Sequence, residues 1–230
     1  MPGYDYTSEA YDVVPHLSKA QLGRIVGLDI DVLRSLEGRL GTRFEIVQTR
    51  WIDLEPGLVA GRYDLILDAW TPSVSTPSAI AATEPYYAWG LLMAARSADP
   101  SIRSAADLTG RRLGHVSDPS VLRALQAMSE SLGANRVVVD QGGDELFRRL
   151  GRGELDVVLF DSAFVRWRVA RDATFRVVGE PLNQLGYCIG VRAGDKALLE
   201  RLQAAVHAFV ASPEAQHLKH KWESAEAPAP

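Results

Sequence analysis

Apolar residues recur along this 230-residue chain in two alternating rhythms. Helical spacing governs Ile30–Leu40 (IDVLRSLEGRL), which Gly41 closes as a C-cap. Phe44–Gln48 (FEIVQ) alternates as a strand does, and Asp53–Ala60 predicts a short helix with Pro56 near its first turn, where proline is tolerated. Asp64–Leu67 predicts a short buried strand, and Trp89–Ala95 (WGLLMAA) another. Beyond it, Ala105–Thr109 predicts a short helix, Arg112–His115 a strand, Ser120–Leu132 a helix ending at Gly133, and Arg136–Val139 a strand. A helix over Gly143–Arg152 leads to the strongest apolar run, Leu155–Phe160 (LDVVLF), which delivers Asp161 at its end. Ser162–Ala170 is helical, Phe175–Val178 and Gly186–Val191 are strands, and Leu198–Ala211 and Pro213–Trp222 are closing helices. Strand–helix alternation of this kind argues for α/β layers with mostly parallel sheets.

In open α/β sheets ligands bind outside the carboxyl ends of strands. The polar, Pro-rich loop after Asp64–Leu67 is therefore the first candidate site; it carries Asp68, Trp70, Thr71, Ser73, Ser75 and Thr76. Each residue also has a plainer role. Asp68 suits a loop cap, Trp51 and Trp70 suit the core, and Asp161 suits the N-cap of the helix that follows it.

Composition narrows the classes. The chain is 47% hydrophobic and 23% charged, enough for one large domain or two lobes of about 100 residues each. A net charge of −4 offers no basic field, so nucleic acid is not an expected partner. Cys188 stands alone, which excludes an internal disulfide and a Cys-based zinc cluster. No run approaches the roughly 20 apolar residues of a membrane span. His217 and His220 are three apart on the last helix, a spacing more often found on a solvated face than at a metal. No metal or cofactor is expected. The opening MPGYDYTSEAYDVV has neither a basic nor an apolar signal region, which predicts either a cytoplasmic protein or the trimmed form of an exported one.

Several segments in order resemble one family. Gly61, Asp64, Ile66, Thr71 and Glu84-Pro85-Tyr86-Tyr87 fit the G-x-x-D-x-I-x-x-x-x-T … D-P-Y-Y segment of bacterial family 3 solute-binding proteins, the amino-acid receptors of ABC importers. Ile25-Val26-Gly27-Leu28-Asp29-Ile30-Asp31 resembles their G-F-D-x-D-L-A segment, and Trp51, Leu54 and Leu58 their W-x-x-L-x-x-x-L. Ala105–Gly114 is similar to S-x-x-D-L-x-G-K-x-V-G, and Gly153–Asp161 to G-x-x-D-A-V-x-x-D; Gly179–Leu182 and Lys221-Trp222 also fit.

The resemblance implies a periplasmic-binding-protein type II clamshell, two α/β lobes joined by a two-strand hinge. It assigns residues 1–90 plus 186–230 to lobe 1 and 91–185 to lobe 2. It implies an extracytoplasmic monomer that captures a small molecule and presents it to an importer permease. There are three departures. The first strand is expected to be missing, with Gly3-Tyr4-Asp5-Tyr6 standing in the loop that follows it. Thr76 replaces the Arg that binds the ligand carboxylate, and Asp118-Pro119-Ser120 replaces a G-T-T segment with the same task. Asp161, which grips the ligand amino group, is kept.

The implied ligand-binding set is Trp51, Asp68, Trp70, Thr71, Thr76, Asp118, Ser120 and Asp161. Acids beside aromatic faces suit an amine-bearing or cationic solute that lacks a free α-carboxylate or has it read elsewhere. The alternative is an enzyme on the same scaffold, a dehydratase-like lyase with Asp68, Asp118 and Asp161 as its acid and base.

Overall fold

The computed structural model describes residues 18–19, 25–47, 49–73, 75–117, 121–122, 125–126, 133, 135–139 and 142–224. In chain order the strands are β1 (Ser18–Lys19), β2 (Ile25–Val26), β3 (Leu65–Ile66), β4 (Ile80–Ala82), β5 (Tyr87–Trp89), β6 (Leu91–Arg96), β7 (Arg112–His115), β8 (Asn135–Val138), β9 (Val157–Asp161), β10 (Phe175–Val178), β11 (Leu185–Tyr187) and β12 (Gly190–Arg192). The helices are α1 (Leu28–Leu40), α2 (Leu54–Val59), α3 (Gly143–Gly151), α4 (Ser162–Arg171), α5 (Lys196–Val210) and α6 (Pro213–Glu223), with 3-10 turns at Trp51–Asp53 and Ala105–Leu108. Residues 121–122 and 125–126 are helical as well. The described residues fall into two compact units. Residues 18–88 with Leu185–Trp222 form the first, and Trp89–Gln184 with Glu223 and Ser224 form the second.

In the first unit β12 lies between β3 and β4 and runs antiparallel to both, with Gly190 opposite Ile66 on one side and Ala82 on the other. Leu54, Leu58, Ile66, Trp70, Ile80 and Cys188 form the core against this sheet. Gly190 lies under the Trp70 ring; a Cβ there would come 3.1 Å from it, so the strand carries no side chain at that point. Helix α1 buries Leu28, Ile30, Val32, Leu33 and Leu36 on one face. It ends at Gly41 in the left-handed region (φ 60°), where the Gly41 N–H reaches Glu37 O.

The second unit is built on a five-stranded sheet of order β10-β6-β9-β7-β8. β7 is parallel to β8 and β9, whereas β6 is antiparallel to β9 and β10. The sheet is thus mixed rather than mostly parallel. Parallel pairing requires a crossover, and the chain supplies one between β7 and β8 and another, through α3, between β8 and β9. The run Leu91–Ala95 of β6 and the run Val157–Leu159 of β9 are buried, as central strands covered on both faces must be. Phe147, Phe164 and Phe175 pack over the sheet, with Phe147 edge-on to Phe175 at a centroid distance of 5.0 Å.

Three expected strands differ in the structure. Trp89–Ala95 is broken at Gly90 into β5 and β6, because a Cβ at Gly90 would lie 2.2 Å from the Asn183 carbonyl oxygen. Gly186–Val191 divides into β11 and β12. Of the expected strand Phe44–Gln48, residues 44–47 join no sheet and leave Ile46 and Val47 exposed, and Gln48 lies outside the described residues. Gly3-Tyr4-Asp5-Tyr6, where the first strand was expected to be missing, lies outside the described residues.

Candidate functional site

β3 ends at Ile66, and within two residues the chain turns sharply. Ala69 takes φ 49°, the left-handed region that non-glycine residues rarely adopt. A hydrogen bond holds this turn, in which the Ala69 N–H donates to Asp29 Oδ2 at 2.7 Å. Asp29 sits in the first turn of α1 and is completely buried; its Oδ1 accepts from the Tyr86 hydroxyl at 2.7 Å. Burial pushes the Asp29 carboxyl up to about 7, although the Tyr86 and Ala69 donors favour its charge.

Asp68 precedes Ala69 and is only 6% exposed. Its Oδ1 is buried and has no hydrogen-bond partner. Burial, and after it the negative Asp29, hold the Asp68 carboxyl well above its usual range. The two local donors both go to Asp29, and Asp68 is left with an unmet acceptor.

Trp70 is 3% exposed, with its ring in the core over Gly190. The resemblance put Trp70 in the ligand-binding set; in the structure its ring packs with Leu54, Leu58, Ile66, Ile80 and Cys188. Its indole N–H donates to Glu55 Oε1 at 3.0 Å, and the Thr76 hydroxyl donates to the same oxygen at 3.0 Å. Thr76 Oγ1 in turn accepts from the Ser73 N–H at 2.9 Å. Glu55, in the first turn of α2, therefore ties down both ends of the loop. The place expected to have lost a cation is occupied by a hydroxyl bound to a carboxylate.

Thr71 donates its hydroxyl to the Gly186 carbonyl at 2.9 Å. Trp51 is half-buried against the core of the first unit. Asp161, in the second unit, caps α4, with Oδ1 accepting from the Ala163 N–H at 2.7 Å and the Phe164 N–H at 3.3 Å. Asp118 and Ser120 lie outside the described residues. Tyr87 is buried and stacks on Tyr187 at 5.6 Å, and Tyr86 lies tilted 6.1 Å from the same ring. Cys188 is buried, which pushes its thiol up to about 11. His115, 2% exposed, donates or accepts through Nδ1 at the Val116 carbonyl (3.0 Å), and its Nε2 has no partner. Among the described residues no group of three or more His, Cys, Asp or Glu side chains could hold a metal ion.

Within the first unit the structure thus joins Trp70 to Thr76 through Glu55, and Ala69, next to Asp68, to Tyr86 through Asp29. Glu55, Asp29 and Tyr86 were not among the candidates. Asp29 and Tyr86 stood inside segments already marked by the family resemblance, which was the one signal that pointed to them. Glu55 carried none.

The family model for bacterial extracellular solute-binding proteins, family 3, matches residues 10–225. The chain belongs to this family. Its relatives include the ABC transporter arginine-binding protein 1 of Escherichia coli (strain K12), 26% identical over 203 residues, covering 86% of this chain and 82% of that one. A probable amino-acid ABC transporter-binding protein of Haemophilus influenzae is 34% identical over 90 residues, but that match spans only 39% of this chain and 35% of the relative. Among solved structures, an ancestral arginine-binding protein bound to arginine superposes with a TM-score of 0.75 at 25% identity, covering 90% of this chain and 92% of that one. This family 3 protein therefore has the periplasmic-binding-protein type II fold and is a solute-binding protein, of the class that hands small ligands to ABC permeases.

Proposed function

We propose that this protein captures a small solute bearing an ammonium or guanidinium group, whose α-carboxylate is absent or read outside the Thr76 loop. The observation that carries the reading is Asp68, a buried carboxylate whose Oδ1 has no donor. A buried acceptor left unmet is costly, and a cationic ligand supplies both the donor and the charge. The Thr76 loop adds to this. Its hydroxyl answers to the Glu55 carboxylate, so an incoming carboxylate would meet an anion there. Relatives named for arginine binding fit a cationic solute class.

In this reading Asp68, Thr71 and Thr76 meet the ligand from the first lobe, residues 1–90 plus 186–230, and Trp51 packs beside them. Asp118, Ser120 and Asp161 meet it from the second lobe, residues 91–185. The lobes close on the solute by hinge bending, and the closed monomer is what an importer permease receives.

The test is calorimetric titration and thermal shift with agmatine, a guanidine without a carboxylate, beside L-arginine, L-histidine and neutral amino acids. Agmatine at 100 times its dissociation constant adds about 2.7 kcal/mol and raises the melting temperature by several degrees. Micromolar binding of ordinary L-amino acids with no response to amines or guanidines overturns the reading.

A further inference from the structure

The Asp29–Asp68 pair has two carboxylates and donors for only one. Asp29 takes the Ala69 N–H at Oδ2 and the Tyr86 hydroxyl at Oδ1, both at 2.7 Å. Asp68 Oδ1 has neither a donor nor access to water. No Lys or Arg among the described residues forms an ion pair with either acid. The groups that act on Asp68 are Asp29, from the first turn of α1, and Tyr86, just ahead of β5. Neither is a cation. Two negative charges in a dry site that holds no positive one repel each other strongly, so the pair keeps a proton. The donors around Asp29 stabilise its anion, so Asp29 is the first to ionise, at about 7, and the proton that the pair keeps above that pH stays on Asp68.

We infer that Asp68 is an exchange site, where an incoming cationic ligand replaces a proton that the empty protein carries. This rests on the cationic-ligand reading above. The balance is simple. The Asp68 O–H bond breaks, its proton passes to water or buffer, and the carboxylate accepts an N–H of the ligand ammonium or guanidinium. Charge at the site is conserved, one positive unit leaving as another arrives. Burial pushes both carboxyls up, Asp29 to about 7 and Asp68 well above its usual range, in agreement with the donor count.

Two consequences are measurable. Capture releases about one proton per ligand, and affinity weakens about tenfold for each pH unit of acidification below the upper titration of the pair. For a solute-binding protein this makes uptake pH-sensitive through a residue that also recognises the ligand.

The experiment uses the full chain and agmatine as probe. Titrations near pH 7 in phosphate and in Tris, buffers of different ionisation heat, report the protons released. About one is expected, and none for Asp68→Asn, which keeps the side-chain shape and should bind agmatine more weakly and independently of pH. In parallel, carbon NMR of the Asp carboxyl carbons in the ligand-free protein, with the Asp68 signal assigned by its loss in Asp68→Asn, shows whether that group is protonated at pH 7. Asp29→Asn removes the neighbouring charge and should move the Asp68 titration to lower pH. Agmatine binding without proton release, or an ionised Asp68 at pH 7, overturns the exchange and leaves the cationic-ligand reading standing. If no amine or guanidine binds while other solutes do, both fall.

Discussion

Glu55 illustrates how one side chain can fix a functional loop from a distance. Its Oε1 receives the Trp70 indole and the Thr76 hydroxyl, contributed by residues 15 and 21 positions further on. Glu55→Ala leaves the buried Trp70 N–H without an acceptor, which should cost about 1–3 kcal/mol. Glu55→Gln keeps a carbonyl oxygen there and should cost under about 1 kcal/mol. Urea unfolding of the two variants measures the difference, and equal losses would show that the tie contributes nothing. Asp29 makes a pH prediction at the same scale. The folded protein holds the Asp29 proton up to about pH 7, whereas the unfolded chain loses it near 3.8. The folded state therefore binds more protons in that window, and stability falls as pH rises through it, by about 4 kcal/mol in all. Carboxylates such as Asp156, held down at about 2 by Arg112, act in the opposite sense, and their share is over before pH 4. The clean measurement is thus the wild type minus Asp29→Asn, unfolded in urea at pH 4, 5.5 and 7; a flat difference would exclude the cost of ionising Asp29.

At the scale of elements, Asp161 joins β9 to α4 and has two roles that separate by substitution. As N-cap it offers Oδ1 to two N–H groups. Asp161→Ala should cost about 0.5–2 kcal/mol of stability, and Asp161→Asn, which still caps, little. If Asp161 also meets a cationic ligand, Asp161→Asn loses affinity for agmatine while it keeps its melting temperature. Retained affinity confines the residue to capping. The elements also show what the sequence made legible. β6 and β9 could be read directly, because a strand covered on both faces must be apolar at nearly every position, as Leu91–Ala95 and Val157–Leu159 are. Phe44–Gln48 shows the limit. Its alternation says which side chains would share a face, but pairing needs a partner strand, and that is decided elsewhere in the chain. The antiparallel setting of β6 was hidden for the same reason. The burial of Asp68 in a turn just past β3 agrees with its place in the sequence at the end of a predicted strand. The setting of the Trp70 ring was not legible, since a tryptophan in a loop reads alike whether its ring faces solute or the core, and only Gly190 beneath it decides.

The whole molecule raises the question of how the two units depend on each other. Trp89–Gln184 is an uninterrupted stretch, and its ends meet: the Leu182 N–H donates to Leu91 O at 2.8 Å, and the Leu91 N–H donates to Asn183 Oδ1 at 2.8 Å. Within the other unit, the two chain segments that flank this stretch are joined by the Tyr86 N–H, which donates to Tyr187 O at 2.8 Å. A segment with adjacent ends, its own five-stranded sheet and its own aromatic cluster has what an inserted domain needs to fold alone. We expect residues 89–184, expressed by themselves, to give a cooperative thermal transition in circular dichroism. The reciprocal chain, with a short glycine linker joining Ala88 to Leu185, should do so too. Both β6 and β9 are completed within the segment, so its sheet loses no strand on excision. What it does lose is the Ser224 carbonyl, which accepts from Arg171 at 3.0 Å at the end of α4. That hydrogen bond is part-buried and worth about 1 kcal/mol, so its loss should lower the midpoint without abolishing the transition. A broad, non-cooperative melt of the excised segment would mean that its core is completed by the rest of the chain, and that ligand capture and folding share one cooperative unit.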